Sequence, residues 1–169
     1  MSLNFPSEAD LRGLPKWARV AFATRCARRL EQRLQAHPRA SHDLREIVRW
    51  AISEAELSCE YGVSSEDLSD AAKLADAAHE MLQDLDDVMP AMTSAVCCWV
   101  AKAAQFPDRV AASAAYGASM AAQRYACRPS EVEADFLHLD QLCRDQQWTE
   151  RSPVSASVFR PLKAANSQK

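Results

Sequence analysis

Glycine is nearly missing from this chain, with only three in 169 residues. Tight hairpin turns and phosphate-cradling loops both draw on glycine's freedom at positive φ, so its scarcity argues against sheets and Gly-rich nucleotide sites. No uncharged run exceeds fourteen residues, the length of the stretch from Val88 to Ala101, and a membrane-spanning helix needs roughly 20. That stretch predicts a buried helix, and no membrane association is expected. The opening ten residues contain Glu8 and Asp10 and no apolar run, unlike a secretory leader, so the expectation is a cytoplasmic chain. CxxC spacing is also absent. The six cysteines (Cys26, Cys59, Cys97, Cys98, Cys127 and Cys143) fall within helical patterns and should behave as small apolar residues in a reducing compartment.

What is abundant is alanine, present 31 times. Alanine loses no side-chain entropy on entering a helix, so this balance predicts an all-α fold. The size fits one domain with its own core. Six helical segments follow from apolar spacing at three and four residues. The first runs from about Pro15 to Ala36 and is closed by Pro38. The second begins near Ser41, lines up Leu44, Ile47, Val48, Ala51, Ile52, Ala55 and Cys59, and ends before Gly62, a residue suited to a left-handed cap. The third opens with Ser64 and Asp67 in capping-box spacing and presents Leu68, Ala71, Ala72, Ala75, Ala78, Leu82 and Leu85.

The fourth segment, Ala91 to Gln105, is apolar nearly all round and belongs at the centre of a bundle, with Met92 and Trp99 on one apolar side. A fifth begins at Pro107 and carries the small-residue series Ala111, Ala114, Ala115, Ala118, Ala121 and Ala122. The sixth follows Pro129, with Ser130 and Glu133 as a capping pair and Val132, Phe136, Leu139 and Cys143 as its stripe. Short connections favour antiparallel neighbours. The expectation is a compact multi-helix bundle of about six helices, forming a single domain over residues 1–150, with a flexible C-terminal tail over 151–169.

Residues able to carry chemistry are few. Two Asp-x-x-His pairs, Asp76 with His79 and Asp135 with His138, place possible ligands on one helix face. A di-iron bundle takes Glu-x-x-His from two helices and a glutamate from each of two others; here aspartate replaces glutamate and the Ala91–Gln105 segment has no carboxylate. No GxSxG elbow or Gly-rich phosphate loop is present. No catalytic residue, cofactor-binding residue or metal ligand is therefore assigned, no cofactor is expected, and the expectation is a binding protein and not an enzyme.

Charge is unevenly distributed. Residues 1–50 carry ten Lys/Arg and five Asp/Glu, whereas residues 51–90 carry one lysine and eleven acids. Arg19, Arg25, Arg28, Arg29 and Arg33 lie in the first segment, where they could grip phosphates, but the overall acidity disfavours nucleic acid. Those arginines are expected to meet the acids of the third segment, and the acids themselves suit a basic protein partner.

The segment Leu14-Pro15-Lys16-Trp17-Ala18-Arg19-Val20-Ala21-Phe22-Ala23-Thr24-Arg25-Cys26-Ala27-Arg28-Arg29 resembles the opening of a family of bacterial immunity proteins, with the pattern LPxWARVAFAxRCARR. The paired alanines of 111–122 and the run Glu131-Val132-Glu133-Ala134-Asp135-Phe136-Leu137-His138-Leu139 fit the family's outline more loosely, and residues 37–90 match nothing in it. The resemblance implies an all-helical protein that binds and neutralises a cognate protein toxin without catalysis, the toxin being a basic effector if the acids form the contact. On that reading Glu80, Asp84 and Asp87 are the expected partner-binding residues, while Trp17, Val20, Ala21 and Phe22 pack. The alternative is a helical adaptor or regulatory domain that binds another kind of protein.

Overall fold

The computed structural model describes residues 5–83 and 87–159. Among them are seven α-helices and no strand: α1 Glu8–Arg12, α2 Lys16–Gln35, α3 His42–Tyr61, α4 Leu68–Gln83, α5 Val88–Gln105, α6 Pro107–Tyr125 and α7 Pro129–Asp145. A 3-10 turn over Ala156–Phe159 follows.

The all-α bundle expected from composition is present, with one helix more than the six expected. The extra element, α1, has five residues, too few for an apolar period to show. A capping box defines it instead: the Ser7 hydroxyl accepts from the Asp10 amide at 3.2 Å, and Asp10 accepts from the Ser7 amide at 2.8 Å. The Ser7 hydroxyl also donates to Asp10 Oδ2 at 2.7 Å, and this bond first, then the one from the Ser7 amide, holds the Asp10 carboxyl below its ordinary pKa.

Two boundaries also differ. The α5 helix starts at Val88 and not Ala91, because Pro90 falls in its first turn, where an amide has no helical partner to lose. At the start of α4 the expected Ser64 cap is diverted. Its hydroxyl donates to the Ala104 carbonyl at 2.7 Å, and Ser65 instead accepts from the Asp67 amide at 3.3 Å.

Two helices share the centre. The α5 helix packs against α2, α3, α4 and α6, as its apolar circumference requires, and α2 packs against α1, α3, α5, α6 and α7. Both α2 and α6 bury a series of alanines, among them Ala18, Ala21 and Ala27 on the first and Ala111, Ala115, Ala118 and Ala122 on the second. Small side chains let the two backbones close on one another. Larger core residues fill the remainder: Phe22, Leu30, Leu34, Ile52 and Leu68 are all fully buried, each contributing roughly 1.5–3 kcal/mol by leaving water.

The segment after Arg151 departs from the loose tail expected of it. Val154 and Val158 are buried, the Val154 amide donates to the Cys59 carbonyl at 2.8 Å, and Arg25 donates to the Val158 carbonyl. Two valines spaced four apart were enough to dock a stretch whose prolines and polar residues hide any helical period. Residues 160–169 of that tail lie outside the described residues.

The docked segment passes the end of α3, where Gly62 holds a left-handed cap at φ 66°. A Cβ there would stand 3.5 Å from Pro153 Cβ, so space is adequate and backbone strain alone opposes a side chain. Gly62→Ala is expected to destabilise the fold by about 1 kcal/mol, read as a lowered urea midpoint with an unchanged slope. An unchanged midpoint would refute the strained cap.

Candidate partner-binding surface

Arg19, Arg25, Arg28 and Arg29 of α2 are wholly or partly buried, Arg33 is exposed, and none of the five meets α4. Arg25 Nη2 lies 2.7 Å from Asp135 Oδ1, and Arg29 Nε lies 2.9 Å from Asp135 Oδ2, so both oxygens of one α7 carboxylate are held by α2. Arg28 pairs with Glu56 of α3 at 2.8 Å and with Glu31 at 2.6 Å. Arg19 donates to the carbonyls of Leu14 and Arg12, and Arg33 to that of Ala126. Burial works against the charge on Arg28 and on Arg29. Hydrogen bonds to Glu56 and Asp135 respectively outweigh it and raise both pKa values above the ordinary arginine value. The expected neutralisation of the α4 acids by these arginines is therefore overturned: their carboxylate partners are Glu31, Glu56, Glu131, Asp135 and Glu150, none of them on α4.

The acids of α4 are left facing solvent. Asp70, Asp76 and Glu80 are exposed, and no lysine or arginine among the described residues forms an ion pair with them. The helix buries Leu68, Ala71, Ala72 and Ala75, and the period that sends those inward sends the acids outward. Leu74 and Met81 are exposed on the same helix, Met81 at 77%.

Of the three residues expected to contact a partner, Glu80 is exposed on this helix. Asp87 precedes α5 and turns toward His37, whose Nε2 is 3.1 Å away, leaving its side chain 20% exposed. Asp84 lies outside the described residues. Asp76, one turn before Glu80, is the better companion to it. The charge of Asp76 reaches α5: the Cys98 thiol is raised first by burial, then lowered by Lys102 and raised by Asp76.

On α5, the helix against which α4 packs, the side shared with α6 opens into an apolar cleft that no α4 residue lines. Its two lobes, of 700 Å³ and 320 Å³, share Trp99 and Gly117. Met92, Tyr116 and Met120 line the larger lobe. A Cβ on Gly117 would stand 3.1 Å from Trp99 Cζ3, so the glycine is what lets the indole lie against α6. Trp99 is 37% exposed and Met120 44%, whereas the sequence pattern places Trp99 on a buried side. Helical spacing gives direction and not depth, and nothing local shows that α6 offers a glycine at that level. No family model, curated protein or solved structure matches this chain.

Chemistry by side chains is sparsely provided for. Asp135, half of one Asp-x-x-His pair, has both oxygens taken by arginine, and its His138 is exposed. His79, from the other pair, has its Nδ1 2.8 Å from the Ala91 carbonyl. No group of three or more possible ligands gathers among the described residues. All six cysteines are free, and burial pushes the Cys127 and Cys143 thiols up to about 11, which keeps them protonated and poorly nucleophilic near neutral pH.

The surface combines exposed aromatic and methionine side chains with unpaired carboxylates on the neighbouring helix. Aromatics and methionine are enriched where proteins meet proteins, and among the described residues no helix is long and apolar enough to cross a membrane.

Proposed function

We propose that this chain is an immunity protein that binds and neutralises a cognate protein toxin through the surface formed by α4, α5 and α6, without catalysis. The observation that carries the proposal is the acidic side of α4, whose carboxylates have no basic partner among the described residues while Arg25, Arg28 and Arg29 of α2 are held within the fold. Unpaired carboxylates on a helix packed against one wall of an apolar cleft suit a partner that is basic around an apolar anchor. The resemblance of residues 14–29 to immunity proteins supplies the biological setting. That opening itself packs, with Trp17, Val20, Ala21 and Phe22 all buried, so the partner meets another part of the molecule.

The test is co-expression with the gene directly upstream in the chain's own genome. Growth arrest by that gene, relieved by this protein, supports the proposal. A harmless neighbour, or arrest that this protein does not relieve, favours a helical adaptor acting on another protein.

With the toxin in hand, Asp76→Lys together with Glu80→Lys is expected to slow association by about tenfold at low salt and much less at high salt. The unfolding midpoint should stay within roughly 0.5 kcal/mol of the parent, because both residues are exposed. Stopped-flow mixing reads the rate, and an unchanged association rate would remove α4 from the interface.

A further inference from the structure

A second cavity, of 490 Å³, opens between α2, α6 and α7, and its lining is polar where the cleft of α5 and α6 is apolar. Four arginines (Arg29, Arg33, Arg124 and Arg128) surround it against one carboxylate, Glu131. Glu131 is already occupied: one oxygen accepts from Arg29 Nη1 at 3.2 Å and the other from the Arg128 amide at 2.8 Å.

Arg29 is the most deeply set, only 9% exposed. Its Nε donates to Asp135 and its Nη1 to Glu131, while Nη2 has no protein acceptor among the described residues. The other three guanidinium groups form no ion pair with any described residue. They are nevertheless placed. Arg33 is tied through Nε to the Ala126 carbonyl at 3.2 Å, and Arg124 lies over the Tyr125 ring at 5.6 Å. Arg128 precedes the first turn of α7, a helix of 17 residues whose amino end adds its own positive potential. Three unneutralised guanidinium groups around one concavity repel one another, and an anion would relieve that repulsion.

We propose that this cavity binds a small molecule bearing a phosphoryl group of two or more negative charges, with a diphosphate as the best match. A single carboxylate neutralises one guanidinium and leaves two. A phosphodiester strand carries one charge per phosphate spread along its length, whereas these arginines converge on a single concavity. Planar guanidinium groups also match phosphate oxygens in pairs. The site adjoins the larger lobe of the apolar cleft, with which it shares Gln123, Arg124 and Tyr125, but it is read without the toxin and stands whether or not the toxin reading holds.

Isothermal titration of the full chain with inorganic pyrophosphate, at fixed ionic strength, tests it. One site is expected, with Arg124→Ala plus Arg128→Ala binding about tenfold or more weakly. Both residues are exposed and unpaired, so the variant should unfold at the parent's midpoint, and Arg33→Gln provides an independent weakening. Absence of binding, or equal binding by the variants, overturns the proposal. Citrate binding as tightly as pyrophosphate would overturn the phosphoryl assignment, and a single-stranded oligonucleotide binding more tightly would reassign the site to nucleic acid.

Discussion

Asp135→Ala is expected to cost about 3–5 kcal/mol of stability, the largest loss among single substitutions of charged residues in this chain. Asp135 is 5% exposed and accepts from two arginines that are themselves 12% and 9% exposed. Removing the carboxylate strands both cations away from water, and the loss reflects that stranding more than the strength of the bonds. For a chain of this size the change lowers the melting temperature by on the order of 10 °C.

The control is to remove the charges together. Arg25→Met, Arg29→Met and Asp135→Leu in one chain should recover most of the loss, since an apolar replacement of a whole buried cluster is often neutral. His138→Ala, three residues along and exposed, should change stability by less than roughly 0.5 kcal/mol. A loss below about 1 kcal/mol for Asp135→Ala would mean that water reaches the arginines and that the cluster is peripheral.

Phe22→Ala is expected to follow closely, at about 3–5 kcal/mol. Phe22 is fully buried and meets Phe136 edge to face, with ring centroids 5.9 Å apart and planes at 80°. Alanine leaves a void on a helix that five others hold in place. Urea unfolding of Phe22→Leu, Phe136→Leu and the pair together isolates the ring–ring coupling, expected near 0.5–1.5 kcal/mol. Additive losses would show that the rings contribute only as buried area.

Helix positions were legible because they rest on local spacing: α3 ends at Gly62, α6 begins at Pro107 and α7 at Pro129, each as punctuation implies. The central place of α5 followed from its apolar circumference. Pairing across the chain was not legible. Arg29 and Asp135 are 106 residues apart, and no local signal says which of the carboxylates on α3, α4 and α7 an α2 arginine will find.

The concentration of acids favoured α4, and the fold placed α3 and α7 against α2 instead. Asp135 was read beside His138 as a possible ligand pair because both lie on one helix at suitable spacing, yet they differ in depth, one buried and one exposed. For the partner surface, the acidity of α4 was evident, but the choice of Asp87 missed its turn toward His37. The apolar cleft depends on Trp99 meeting Gly117 from another helix, which spacing within α5 does not encode.

The ties of α2 to the far end of the chain also set an order on its biosynthesis. This helix leaves the ribosome before α7, carrying two arginines whose acceptors, Asp135 and the Val158 carbonyl, are 110 and 133 residues downstream of Arg25. At synthesis rates of about 5–20 residues per second, the nascent chain waits roughly 5–25 seconds before those acceptors exist. A fragment released before Val158 keeps Arg25 without one acceptor, and one released before Asp135 leaves both arginines open and the α2 core uncovered. Such products are expected to be cleaved faster by proteases than a chain that extends past Val158.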